Sequence, residues 1–295
     1  MALWRAGIGA KNRQGSQLVD PACVARRSDQ PRCGVDRSSG AGMMKRVAVM
    51  QPYFFPYLGY WQLIAAVDCF VLFDEVQYIN RGWINRNRIL KPGGGWQYIQ
   101  VPVARHPQTA AIRDVNIAPL PGWKARIVNQ LAHYRAKAPH FDETTELVES
   151  ALFGGQEQGI GELNRRIVRM LCEALSIRCE IVTSSDFEFD YSAVTESGDR
   201  LLAIALQLKA AELINPVNGI SLLDPDKFSR CGVSIGALQP PAIAYPQARD
   251  RFEPSLSIID VMMFNGIAGA SKLLSERAIV TVAQSMESAG RSAHE

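Results

Sequence analysis

The sequence predicts an α/β protein with an open, mainly parallel sheet, interrupted by a hairpin and a helical insertion. Three observations carry this expectation. A strand, a loop, a helix and a second strand follow one another between Val47 and Phe73. Strand and helix patterns alternate again from Cys179 to Leu238. The stretch between holds a glycine-rich turn and several helical patterns. Parallel strands need long crossovers and cover on both faces, and this alternation supplies both.

Residues 1–43 read as a disordered extension. They are rich in Arg, Ser, Gly and Gln, poor in large apolar side chains, and without periodicity. Asp20, Asp29 and Asp36 argue against a targeting peptide, and translation is expected to begin naturally at Met43 or Met44. Val47–Met50 is an apolar run of buried-strand length. It stops at Gln51-Pro52, because proline has no N–H for a ladder and holds its predecessor extended. Pro56 and Gly59 shape a tight loop, after which Tyr60, Leu63, Ile64 and Val67 recur at helical spacing. Cys69–Phe73 is the second strand and ends at Asp74-Glu75.

Trp83–Leu90 and Trp96–Val103 are expected to pair as a hairpin across Pro92-Gly93-Gly94-Gly95. Ile112–Ile117 reads as a further short strand. Helices are expected over Trp123–Tyr134, over Phe141–Phe153 with Asp142 as its N-cap, and over Ile160–Leu175. Cys179–Thr183 reads as a third core strand, Asp199–Ala211 as a helix, and Glu212–Asn215 as a fourth strand broken by Pro216. Another strand begins at Gly232, and Ser257 caps a last helix from Ile258 to Leu274. One domain over 44–275 and a polar tail over 276–295 follow.

The net charge of +3 belongs to the extension, which carries seven Lys/Arg against three Asp/Glu. The other 252 residues hold 25 basic and 26 acidic groups, so charge does not indicate a nucleic-acid partner. The six cysteines show no metal or redox spacing and fit a reducing cytoplasm. No apolar run is long enough to span a bilayer.

In open α/β sheets ligands bind beyond the carboxyl ends of the strands. Gln51 to Tyr57 follow the first strand, and Asp74, Glu75 and Gln77 follow the second, so the two groups are expected to share a crevice. Arg81, Trp83, Asn85, Arg86 and Asn87 come next. Arginine offers a planar fork to oxyanions, tryptophan a stacking face, and asparagine an amide that reads polar edges. This ribbon is a candidate nucleotide or phosphate site on the rim of the same crevice. His133 and His140 show no visible partner and are read as structural.

From Met44 to about Leu274 the chain resembles the WbqC-like family. The matching segments are QPYFFPYLGYWQLI (51–64), DEVQY (74–78), WINRNRI (83–89), WQYIQVPV (96–103), HYRAKAPHF (133–141), and the closing run from Tyr245 to Asp260. One segment departs from the family pattern, Asn215-Pro216-Val217-Asn218-Gly219. The resemblance implies a role in bacterial surface-polysaccharide (O-antigen) or modified-sugar biosynthesis, with acyl or glycyl transfer to an amino sugar among the suggested activities. A second likeness, to the HIGH-motif nucleotidyltransferases, implies a Rossmann-like sheet. The positions comparable to their two imidazoles hold Tyr57 and Tyr60, and no KMSKS-like loop is evident.

Taken together, these point to N-acyl or aminoacyl transfer to a nucleotide-linked amino sugar. Asp74 or Glu75 is the candidate base, and Gln51 and Tyr57 the donors to a developing oxyanion. Pro52, Phe55, Tyr60, Gln77 and the ribbon line the substrate site, and Asp260 is expected to orient an arginine. The expected partners are a nucleotide-linked sugar and an acyl donor, free or on a carrier protein. No metal site is expected, and no cofactor is specified. HIGH-like nucleotidyl transfer and a non-catalytic nucleotide- or sugar-binding accessory role are the alternatives.

Overall fold

The computed structural model describes residues 45–241 and 243–281. The expectation of disorder over 1–43, and residues 282–295 of the expected tail, lie outside the described residues.

Six strands form the main sheet. β1 (Arg46–Met50) pairs in parallel with β2 (Cys69–Leu72), and β2 with β5 (Glu180–Thr183). On the other side β1 meets β6 (Glu212–Pro216), which pairs in parallel with β7 (Ser234–Gln239). β8 (Ala278–Thr281) closes that edge antiparallel to β7. The order is therefore β5-β2-β1-β6-β7-β8. The chain winds outward from β1 to β5, then returns to the far side of β1, so the strand order reverses between β1 and β6. β1 and β6 pair only at Arg46–Glu212 and Val47–Leu213, and their carboxyl ends part. This reversal is the switch point at which doubly wound sheets bind ligands.

Apolar side chains on alternate strand positions build two layers. On one face Ala48, Met50, Phe70 and Leu72 pack with α1 (Leu58–Ile64), α4 (Ile160–Ala174) and α7 (Ile258–Leu273). On the other face Val47, Val49, Leu213 and Ile235 pack with α5 (Ser197–Gln207) and α6 (Pro225–Arg230). Trp61, Tyr60, Phe54, Phe55 and Phe70 are almost completely buried, each contributing roughly 1.5–3 kcal/mol.

The insertion between β2 and β5 holds an antiparallel hairpin, β3 (Arg86–Leu90) with β4 (Trp96–Gln100), then α2 (Trp123–Leu131), α3 (Phe141–Phe153) and α4. Gly93, Gly94 and Gly95 all take positive φ in the hairpin turn, a backbone open to glycine. No helix among the described residues is long and apolar enough to cross a membrane.

Three details depart from the sequence expectation. Ile112–Asp114 is a 3-10 turn rather than part of a strand, because Ile112 N and Arg113 N bond to Val76 O and Asp74 O in the loop leaving β2. Only single bridges remain there, Asn116 to Gly159 and Ile117 to Val103. Asp142 lies in the first turn of α3, with His140 as N-cap. The domain also runs past 275. The apolar run Ala278-Ile279-Val280 pairs with β7 instead of opening a tail, as its β-branched residues favour.

Candidate functional site

The site forms around the loop that leaves β1. Nearly every backbone carbonyl of that loop is held from outside. Asn164 Nδ2, fully buried on α4, donates to Pro52 O at 2.8 Å and to Ile84 O at 2.7 Å. Asn87 Nδ2 donates to Phe54 O (3.1 Å) and Phe55 O (2.9 Å), and Ser257 Oγ to Phe55 O (2.7 Å). Pro56 O accepts from Ile258 N at 2.9 Å and from Trp61 Nε1 at 3.0 Å. These clamps hold Phe55 at φ +40°, a conformation that costs an L-residue energy and persists only when its surroundings enforce it.

What the loop leaves unbonded is polar and uncharged. Gln51 is half-buried, and its side-chain amide has no hydrogen-bond partner among the described residues; its carbonyl accepts from Tyr60 OH at 2.9 Å. The hydroxyls of Tyr53 and Tyr57 are likewise without partners among the described residues. Burial raises both phenols above their usual range, so they stay neutral and act as donors. Pro52, Phe55 and Tyr60 are buried and shape the loop rather than facing solvent.

The acidic pair divides. Asp74 is 5% exposed, and its carboxylate accepts from Ser184 Oγ (2.9 Å), Ser185 N (3.1 Å) and Ser185 Oγ (2.7 Å) at the end of β5. Glu75 is more open: Oε2 accepts from Tyr191 OH at 3.0 Å, and Oε1 lies 3.4 Å from Arg113 Nη1. The Tyr191 phenol is pushed up by burial and by that carboxylate. Gln77 turns away and donates to Gln108 O at 2.6 Å.

The ribbon divides by face. Asn85 and Asn87 are buried, and Asn85 Nδ2 donates to Val101 O at 2.9 Å. Both amides serve the fold, so neither faces a ligand as the sequence reading assigned. The outward face is a ladder of cations and rings. Arg86 sits 4.1 Å from the centroid of Tyr98, and Arg88 lies 5.6 Å from Trp83 and 5.1 Å from Trp96. Arg81 is exposed at φ +61°, its carbonyl accepting from Arg86.

Asp260 lies fully buried in the first turn of α7 and is bonded to no arginine among the described residues. It accepts from Tyr134 OH (2.6 Å), Tyr245 OH (2.7 Å) and Gln247 Nε2 (3.1 Å). Burial raises its pKa to about 6, against the three donors, which favour the charged form. His133 packs against Tyr134 with ring centroids 4.3 Å apart and the planes tilted by 37°.

Sequence reasoning missed Tyr53, Asn164 and Tyr191. Asn164 is a polar residue inside an otherwise apolar pattern, which was the available signal. Tyr191 gave none.

The sheet order and the parting of β1 from β6 at the switch point define a Rossmann-like α/β protein. Within that class, the chain belongs to the WbqC-like protein family, whose model matches residues 51–272. A Mycobacterium tuberculosis (strain ATCC 25618 / H37Rv) protein described as uncharacterized protein Rv1507c is 32% identical over 226 residues, covering 75% of this chain and 94% of the relative. No solved structure matches the chain.

Proposed function

We propose that the chain is an N-acyl or aminoacyl transferase acting on a nucleotide-linked amino sugar in the biosynthesis of bacterial surface polysaccharide or related modified sugars. The observation that carries this reading is the rim of the β1–β6 opening. There, neutral donors without partners among the described residues (Gln51, Tyr53, Tyr57) lie on the loop leaving β1, and Glu75 lies on the loop leaving the neighbouring β2. In this reaction the sugar amine attacks the acyl carbonyl and an N–C bond forms. Glu75 takes the amine proton. Gln51 and Tyr57 donate to the developing oxyanion until the bond to the leaving group breaks. Asp74 holds the rim together from below. Arg81, Arg86 and Arg88, with Trp83, offer the nucleotide a phosphate fork and a stacking face. The four described cysteines are buried or half-buried and form no disulfide among the described residues, which fits a reducing cytoplasm.

The test is amide formation by the purified protein across a panel of nucleotide-linked amino sugars and acyl donors, with acyl carrier protein and aminoacyl donors included. Glu75→Gln is expected to cut turnover by about 100-fold or more, in the range of a lost general base, with the melting temperature retained. Ligand binding without product from any combination would instead indicate an accessory binding protein. Pyrophosphate release from a nucleoside triphosphate would indicate the nucleotidyl-transfer alternative, which the tyrosines at positions 57 and 60 disfavour.

A further inference from the structure

The β6 wall of the opening carries a group that folding alone leaves unexplained. Asn215 is 1% exposed, and its Nδ2 is buried without a hydrogen-bond partner among the described residues. A buried amide N–H in this state is costly relative to one that is paired. Asn215 is the second-last residue of β6, where β6 has already parted from β1, and it is paired in register with Ala237 of β7. Val47 and Val49 of β1 share a face of the sheet with Leu213 of β6. By the same alternation Asn215 lies on that face, level with Val49, and Gln51 follows directly after the end of β1. Gly219 lies directly over the Asn215 amide: a Cβ there would come within 2.7 Å of Nδ2. The glycine keeps that amide where it is.

The two walls share a chemical character. Residues 51–60 and 215–222 contain no charged side chain. The arginines stand elsewhere, on the hairpin and beside Glu75. A phosphate in the β1–β6 gap would find no counter-charge, whereas a group bearing neutral hydroxyl and carbonyl oxygens would find amides and phenols.

We infer that the β1–β6 gap is the sugar subsite, and that Asn215 Nδ2 donates to a hydroxyl or carbonyl oxygen of the sugar ring or its substituents. This rests on the transferase reading above and adds to it the location of the sugar and a specificity-determining residue. The orphaned donor acquires its acceptor when the sugar binds. The phosphates lie towards the hairpin.

Calorimetric titration with UDP-, dTDP- and GDP-linked amino sugars, each beside its bare nucleoside diphosphate, tests this. The wild-type protein is expected to bind at least one sugar-linked form more tightly than the bare nucleotide. Asn215→Leu is expected to weaken that sugar-linked form about tenfold, the size of one lost hydrogen bond, while binding the bare diphosphate as wild type does. The same variant keeps or raises the melting temperature, because it removes an unpaired polar group from the interior. A residue held only for the fold would give the opposite sign. Gly219→Ala, which displaces the amide without removing it, is expected to show the same selective loss. A preference that survives both substitutions overturns the role of Asn215 and leaves the transferase reading intact. Equal binding of sugar-linked and bare nucleotides by the wild-type protein overturns both.

Discussion

Asp74 and Glu75 are adjacent in sequence and serve different ends. The strand-end position of both was legible, because Cys69–Phe73 is an apolar run that stops at them. Which one was open to a ligand was not, because the partners that decide it, Ser184 and Ser185, lie 110 and 111 residues away. Three donors on a nearly buried carboxylate make Asp74 a fastener between the ends of β2 and β5. Removing it strands two hydroxyls and one backbone N–H. Asp74→Ala is therefore expected to destabilise the fold by roughly 2–4 kcal/mol, read as a lowered denaturant midpoint. Glu75→Ala, whose partners Tyr191 and Arg113 are half-buried and exposed, is expected to shift it by less than half as much. Equal losses would place both carboxylates in the same structural role. Asn87 teaches a related point. Its neighbours Arg86 and Arg88 suggested a ligand-facing ribbon, but alternation along β3 turns the asparagine inward, to the carbonyls of Phe54 and Phe55.

Among elements, the hairpin and α7 were readable because their signals are local: a glycine turn between alternating runs, and a serine cap before an apolar stripe. The bond of Ser257 Oγ with Ile259 N, at 3.3 Å, is that cap. What joins these elements was not readable, since it is a network drawn from four distant segments. Tyr134 OH accepts from Leu90 N at 2.9 Å and donates to Asp260; Tyr245 and Gln247 reach the same carboxylate from the segment before α7. Arg249 of that segment donates to Gly95 O and Lys91 O in the hairpin turn. The network carries a pH signature. The folded pKa of Asp260 is about 6, above the ordinary 3.8, with desolvation the largest cause. Folding thus favours the protonated acid. Its contribution is complete below the unfolded value and is lost as pH rises through the folded one. The melting temperature of the wild type relative to Asp260→Asn is therefore expected to fall between about pH 4 and pH 7. A difference flat across that range, or rising, would show that the tyrosine donors outweigh burial.

For the molecule as a whole, the class of fold followed from the alternation of strands and helices, but strand order did not. Nothing local to Glu212–Pro216 says that β6 joins the free side of β1 rather than the edge at β5. That placement is what creates the switch point, and it depends on contacts with helices on both faces. The far edge shows the same limit. Polar residues around Ala278–Thr281 obscured a strand whose pairing partner, β7, lies some forty positions upstream. This last segment ties the sheet to α1 as well as covering β7. Gln62 Nε2 donates to Leu273 O (3.0 Å) and Glu276 O (2.7 Å), and Arg277 Nη2 to Ala65 O (2.8 Å). A chain ending at Ser275 would lose the second acceptor of a buried amide, the arginine tie and the whole edge strand. It would leave β7 as an unprotected parallel edge, open to pairing with other chains. Such a truncation is expected to melt roughly 5–10 °C below a chain ending at Gln284 and to aggregate on heating, as followed by calorimetry and light scattering. Equal melting of the two would mean that the sheet is complete at β7, with β8 contributing little to stability.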